Sequence, residues 1–189
     1  MTTVPFTRRQ ISFGAVAAVV AGSATAFAQM GNEKDNRSES DLGISRGHAA
    51  IHQEIDFAAG ASRLYQTLTN SDLFDKVVLA SAAVNSAMKA KLGSAPTGID
   101  ARPGGAFVLF GGYITGYMLE LVPDARVVQA WRSASWDPGI HSIAKFQLAQ
   151  HGSGSRLIFD HTGFPDQEAE HLAQGWRINY WEPLKKVLA

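Results

Sequence analysis

Across residues 167–188 the apolar positions Ala169, Leu172, Ala173, Trp176, Tyr180, Leu184 and Val187 recur at three- and four-residue steps, which makes one apolar stripe on a helix. Only Gly175 interrupts the helical pattern between Asp166 and Pro183. Asp166, after Pro165, is the expected N-cap, with Glu168 and Glu170 in the positively polarised first turn. A long helix with two aromatic rings on its buried face needs a broad apolar partner, and the alternating segments upstream supply it.

The first of these segments spans 49–57, where Ile51, Gln53, Ile55 and Phe57 face one way and His52, Glu54 and Asp56 the other, as on a strand. Leu64, Tyr65 and Leu68 then place a helix over 61–69. Asn70-Ser71-Asp72 stops it and caps a second helix, expected over 73–92. After a break at 93–98, two short strands over 99–102 and 106–110 are joined by the tight turn Pro103-Gly104-Gly105. Four further strands follow, over 113–122, 126–133, 141–150 and 156–162. They are punctuated by Pro123-Asp124, Asp137-Pro138-Gly139 and Gly152-Ser153-Gly154. Strand, two helices, a run of antiparallel strands and one long helix predict an α+β domain in which a curved antiparallel sheet wraps around the last helix.

The N-terminal end reads differently. Thr7-Arg8-Arg9-Gln10-Ile11-Ser12-Phe13 precedes an uncharged apolar run to Phe27, then Ala26-Phe27-Ala28 before Gln29, the order of a signal peptide over residues 1–28. The run is too short for a membrane span, which needs about 20 residues. Paired arginines before it resemble a twin-arginine export signal, so the mature protein is expected outside the cytoplasm, periplasmic or secreted. Residues 29–47 are polar, with only Leu42 and Ile44 as sizeable aliphatic side chains, and read as a flexible linker to a domain over 48–189.

Composition narrows the function classes. With 189 residues, 46% hydrophobic and 18% charged, the chain has an ordinary globular composition and length enough for one domain with a real core. It has no cysteine, which removes disulfides and thiolate metal sites. Basic and acidic residues balance at 17 each and are scattered, which argues against a nucleic-acid partner. No serine has a nucleophile-elbow context, and no glycine run opens a helix as a phosphate cradle must.

Several spaced segments carry a resemblance. Arg102-Pro103-Gly104-Gly105-Ala106-Phe107, Gly112-Tyr113-Ile114-Thr115-Gly116, Leu121-Val122-Pro123, Val128-Gln129-Ala130-Trp131-Arg132, Ser155-Arg156-Leu157, His161-Thr162-Gly163-Phe164, and Gly175-Trp176 with Pro183-Leu184 resemble the START-like (SRPBCC) superfamily. Within it they are most similar to the branch named after activators of the ATPase of the ninety-kilodalton heat-shock chaperone. The resemblance runs over about 48–189. It implies the helix-grip fold, whose sheet and terminal helix enclose an elongated apolar cavity. It leaves activity open, since the superfamily holds lipid carriers, hormone receptors and aromatase/cyclases.

Candidate chemistry centres on that cavity. His161 shares a strand face with Leu157 and Phe159 toward the terminal helix, where it is either a hydrogen-bond partner for a ligand, a general acid/base, or a satisfied core histidine. Trp131, Trp136, Phe146, Phe159, Trp176 and Tyr180 are more large rings than a sheet and helix need to fill their interface, and of these Trp131, Phe146, Phe159, Trp176 and Tyr180 join His161 as candidate ligand-binding residues. Arg102, Arg132 and Arg156 are candidates to meet a ligand carboxylate at the mouth. His48, His52 and His171 do not make a metal site, since the first two rings lie ~13 Å apart along a strand. No cofactor is expected. Three functions follow in order: an exported module binding a small hydrophobic molecule, lipid or polycyclic in type; a cyclase/dehydratase-like enzyme with His161 as acid/base assisted by Tyr180 or Asp160; and a chaperone-ATPase activator-like interaction module, which export disfavours.

Overall fold

The computed structural model describes residues 44–45 and 50–189; the leader expected over 1–28, most of the linker expected over 29–47, and His48 lie outside the described residues. The elements are β1 (Ile44–Ser45), β2 (Ala50–Phe57), α1 (Ala61–Thr69), α2 (Ser71–Ala80), β3 (Gly98–Ile99) and β4 (Ala106–Leu109). They continue with β5 (Ile114–Val122), β6 (Arg126–Ser133), β7 (Ser142–His151), β8 (Gly154–Thr162), α3 (Ala169–Trp176) and α4 (Glu182–Leu188). The eight strands form one antiparallel sheet in the order β1-β2-β8-β7-β6-β5-β4-β3. This is an α+β helix-grip fold. Ile44 and Ser45, placed in the linker by composition, pair with Ile51 and Ala50 as an edge strand.

The period-two alternation does what it should. Along β2, Ile51, Ile55 and Phe57 are buried while His52, Glu54 and Asp56 are not. Register then builds rows across the inner face: Gln53 opposes Phe159, Phe159 opposes Phe146, and Phe146 opposes Val127. The terminal helix lies on these rows, with Leu172, Ala173, Trp176, Tyr180, Trp181, Leu184 and Leu188 buried. The outer face is charged, Arg156 bonding both Asp56 and Glu54, and Asp160 taken by His52 and Lys145.

Two helical expectations change. The terminal helix is continuous but not uniform: α3 passes into a π-helical turn over Arg177–Trp181 before α4. Pro183 supplies a cause, because it has no N–H to give the Asn179 carbonyl four residues back and its ring crowds that carbonyl, so the wider turn relieves the conflict. The extra turn width buries Trp181 and Leu188 and leaves Val187 half-buried. Asp166 makes no cap bond; it opens a short 3₁₀ turn ahead of α3. The second helix expected over 73–92 stops at Ala80. Ser81 folds back, its N–H and hydroxyl both donating to the Val78 carbonyl, and the chain continues as an irregular strap holding a 3₁₀ turn over Ala87–Lys91. Asn70 caps α2 as expected, accepting from the Leu73 N–H at 3.0 Å.

Candidate functional site

His161 sits on β8 among aromatic rings and is fully buried. The Trp176 indole N–H donates to its Nδ1 at 3.0 Å, and its Nε2 lies 2.6 Å from Ser142 Oγ. Ser142 Oγ gives its own proton to the Trp131 carbonyl at 3.0 Å, so it must accept from His161. That chain of donors fixes the neutral tautomer with the proton on Nε2. Burial holds the imidazole far below its usual value, at about 3. A second proton would have to enter at Nδ1, where an indole N–H already points. His161 is therefore a satisfied core histidine, held by side chains rather than by a backbone carbonyl. Asp160 is its neighbour in sequence but faces the opposite side of the sheet, bonded to His52 and Lys145, and is not placed to assist.

The cavity lies beside this network rather than around it. It encloses about 70 Å³ between the strap, the start of β5, the end of β6 and the terminal helix, and opens to solvent. Trp131, Trp176 and Tyr180 line it, together with Ile114, Phe110 and Leu92. Phe146, Phe159 and His161 do not; they fill the core beneath the helix. Ser133, Ser135, Glu168 and His171 line the cavity too, none of them expected to do so. Glu168 and His171 stand about one helical turn apart, and that i, i+3 spacing is the signal in the sequence that could have put them on one face. The volume is small beside the ~300–1,000 Å³ of sites that engulf drug-sized ligands. The elongated cavity implied by the resemblance is thus largely occupied here by its own rings.

Local backbone irregularity converges on the same place. Phe110 is buried with φ 51°, a left-handed conformation that a bulky residue rarely adopts, and Gly111 and Gly112 follow with φ 69° and 95°. The π-helical turn brings Asn179 and Tyr180 to the cavity. Asn179 Oδ1 in turn accepts the Ala83 N–H at 2.8 Å, tying the strap to the helix. Trp131 donates to the Tyr180 hydroxyl over a long 3.5 Å, and burial pushes that phenol up, so it stays protonated. Trp136 packs edge-on to Trp131, its ring N–H buried and without a partner among the described residues.

The three arginines considered for a ligand carboxylate are engaged elsewhere. Arg102 bonds Asp100, Arg132 donates to the Trp136 and Asp137 carbonyls, and Arg156 forks onto Asp56. His52 is occupied by Asp160 and Glu54 on the outer face.

An eight-stranded antiparallel sheet gripping a C-terminal helix, with a small cavity between them, places the protein among helix-grip domains. Residues 58–189 match the family described as "Activator of Hsp90 ATPase homolog 1-like protein", and the chain belongs to that family. The mouse "Activator of 90 kDa heat shock protein ATPase homolog 1" is 30% identical over 93 residues, 49% of this chain and 28% of its own length. An uncharacterized Schizosaccharomyces pombe protein is 31% identical over 139 residues, 74% of this chain and 37% of its own. The chain thus spans well under half the length of these relatives. An HSP90 activator from Plasmodium falciparum has a similar structure, with TM-score 0.61 at 17% identity over 74% of this chain and 95% of that one. The Aha1 dimer from Colwellia psychrerythraea gives TM-score 0.58 at 17% identity, over 74% and 96%. Among the described residues no helix is long and apolar enough to cross a membrane.

Proposed function

We propose that this chain is an exported binding module of the family, which holds a small hydrophobic molecule between its sheet and its terminal helix. The observation that carries the reading is the half-open cavity walled by Trp131, Trp176 and Tyr180, on which the strained Phe110, the π-helical turn and the loosely tied strap all converge. Regular packing would have filled that space more cheaply. Turnover is the weaker reading, because His161 has both ring nitrogens engaged, by Ser142 and Trp176, and no carboxylate bonded to it among the described residues. Native mass spectrometry of protein purified from an exported fraction tests binding: a retained small apolar ligand is expected, and its absence across several growth conditions would count against the reading. Export rests on the leader pattern. Arg8→Lys with Arg9→Lys is expected to stop it without touching the domain, so unchanged processing of that variant would remove the twin-arginine assignment.

A second reading draws on the relatives' names and one surface feature. Tyr117, Leu119 and Ile143 are exposed on the outer face, Tyr117 and Ile143 meeting across Ala130. Such a face suits contact with another protein. Stimulation of a ninety-kilodalton chaperone ATPase by the mature domain, lost in Tyr117→Lys, is the outcome this reading requires.

A further inference from the structure

The cavity has a chemical bias that its size and apolar walls alone do not explain. Tyr180 is buried in the wall with its ring against Trp176, at 4.2 Å between centroids, and against Phe110 at 5.4 Å. Its oxygen accepts from Trp131, but its own O–H hydrogen finds no acceptor among the described residues. A buried donor without an acceptor is uncommon, and it is satisfied most readily by what occupies the space it borders.

The charges around the cavity point the same way. Among the described residues no lysine or arginine lines it; its ionisable walls are Glu168, His171, Tyr113 and Tyr180. Lys89 lines the neighbouring groove, which shares Leu92 and Phe110 with the cavity as walls and also carries Asp75. An anionic ligand would lose its hydration with no lysine or arginine to meet it, His171 being the one wall residue of these that can carry positive charge, and would face the Glu168 carboxylate. An acceptor that carries no charge avoids both penalties.

Size sets the remaining limit. About 70 Å³ is under half of the ~150 Å³ dry cavity known to take a benzene ring, so a chain end enters and a fused ring system does not unless walls move. The groove beyond Leu92 and Phe110, about 410 Å³, offers a continuation for a longer chain.

We infer that the cavity selects a neutral, slender aliphatic molecule bearing a carbonyl-type oxygen, which accepts a hydrogen bond from the Tyr180 hydroxyl while its chain lies against Trp131, Trp176 and Phe110. This rests on the binding reading above and deepens it. The lipid and polycyclic classes part here: a free fatty-acid anion is disfavoured by charge, and a polycycle by volume.

The test is calorimetric titration of the mature protein with 2-octanone and with octanoate at pH 7. Saturable binding of 2-octanone is expected, with octanoate weaker by roughly tenfold or more, the equivalent of one unpaired polar group. Tyr180→Phe is expected to weaken 2-octanone by about 2- to 12-fold, the net worth of one hydrogen bond, and to leave octanoate unchanged. Glu168→Gln is expected to narrow the gap between the two ligands by strengthening octanoate alone. If octanoate binds as tightly as 2-octanone, binding stands and the selectivity falls. The inference also falls if a folded Tyr180→Phe keeps full affinity for the ketone. If the wild type binds neither ligand, this inference falls, and the binding reading then stands or falls on whether native mass spectrometry of the exported fraction finds any other retained apolar molecule. Should Tyr180→Phe not fold, the wild-type ligand comparison and Glu168→Gln decide the matter.

Discussion

Trp176 and His161 are joined by one hydrogen bond, indole N–H to imidazole Nδ1 at 3.0 Å, and that bond ties the terminal helix to the centre of the sheet. It is directional where the surrounding packing is not. Trp176→Phe removes the donor, keeps most of the ring, and leaves Nδ1 buried without a partner. The expected loss is about 1–3 kcal/mol by chemical denaturation. Trp176→Ala, which also opens a cavity, is expected to lose ~3–5 kcal/mol. A Trp176→Phe variant as stable as the wild type would show that the bond contributes nothing beyond packing.

The same histidine sets a pH dependence with a definite sign. Its folded value, about 3, lies below the ordinary 6.5, so the unfolded chain binds the proton more readily. Stability is therefore fully present above about pH 6.5 and falls toward pH 3, at up to ~1.4 kcal/mol per pH unit. His52 works in the opposite direction: bonding to Asp160 raises it, so its contribution is present at low pH and lost as pH rises through the raised value. His52 is exposed, and its effect is small. The carboxyls of Asp56, Glu120 and Asp160 are depressed from values near 4 and act only below that, leaving a window from 6.5 to about 4.5 that belongs to His161. His161→Gln is expected to flatten the stability curve in that window. An unchanged slope in denaturation series of both proteins would assign the effect elsewhere.

Removing residues 165–189 is expected to abolish folding rather than trim a tail. The deletion takes away Leu172, Trp176, Tyr180, Trp181 and Leu184, all buried against the inner face of the sheet. It also strips Gln53 of the Ala173 carbonyl it donates to and of the Trp181 ring N–H it accepts. A truncated chain that stayed monomeric and melted cooperatively would make the helix peripheral.

The strap is expected to open separately from the rest. It is tied to the terminal helix at Ala83 and to the Gly111 carbonyl at Ala95, and between these anchors its hydrogen bonds among the described residues are local. None of residues 85–95 is buried. Gly93 packs backbone to backbone on Gly111, and a Cβ at position 93 would collide with the Gly111 carbonyl. Gly93→Ala is therefore expected to speed amide exchange over residues 86–95 by ~10-fold or more, about 1.4 kcal/mol of local stability, while the global melt barely moves. Exchange that rises uniformly across the sheet would mean that the strap and core open as one unit.

Strands were readable because each of their signals is local. Arg126–Ser133 alternates cleanly, and its turns are spelled out by Pro123-Asp124 and Asp137-Pro138-Gly139. The terminal helix was readable for the same reason, by its stripe. Its π-helical turn was not, since it arises from Pro183 acting on a carbonyl four residues back while the sheet holds both flanking turns in place. The end of α2 at Ala80 was equally hidden: Ala82, Ala83 and Ala87 suit a helix, and the ties from Ala82 to the Ile178 carbonyl and from Ala83 to Asn179, 96 positions away, draw the chain off that course. For the site, the rings of Trp131, Trp176 and Tyr180 were legible as a group. Which of the large residues face space and which face each other depends on how β6, the strap and the helix meet, and that is long-range packing.

All four tryptophans of the chain fall in one connected cluster: Trp131 lies 5.3 Å from Trp136 and 5.5 Å from Trp176, which stacks at 16° on Trp181. At such separations the indoles share excitation, so the fluorescence and near-ultraviolet dichroism of this protein belong to the cluster and not to single rings. Two of its members line the cavity. A molecule that enters and quenches Trp131 or Trp176 drains the emission of the other two as well, which gives the unlabelled protein an optical signal far larger than the handful of atoms that a ligand touches.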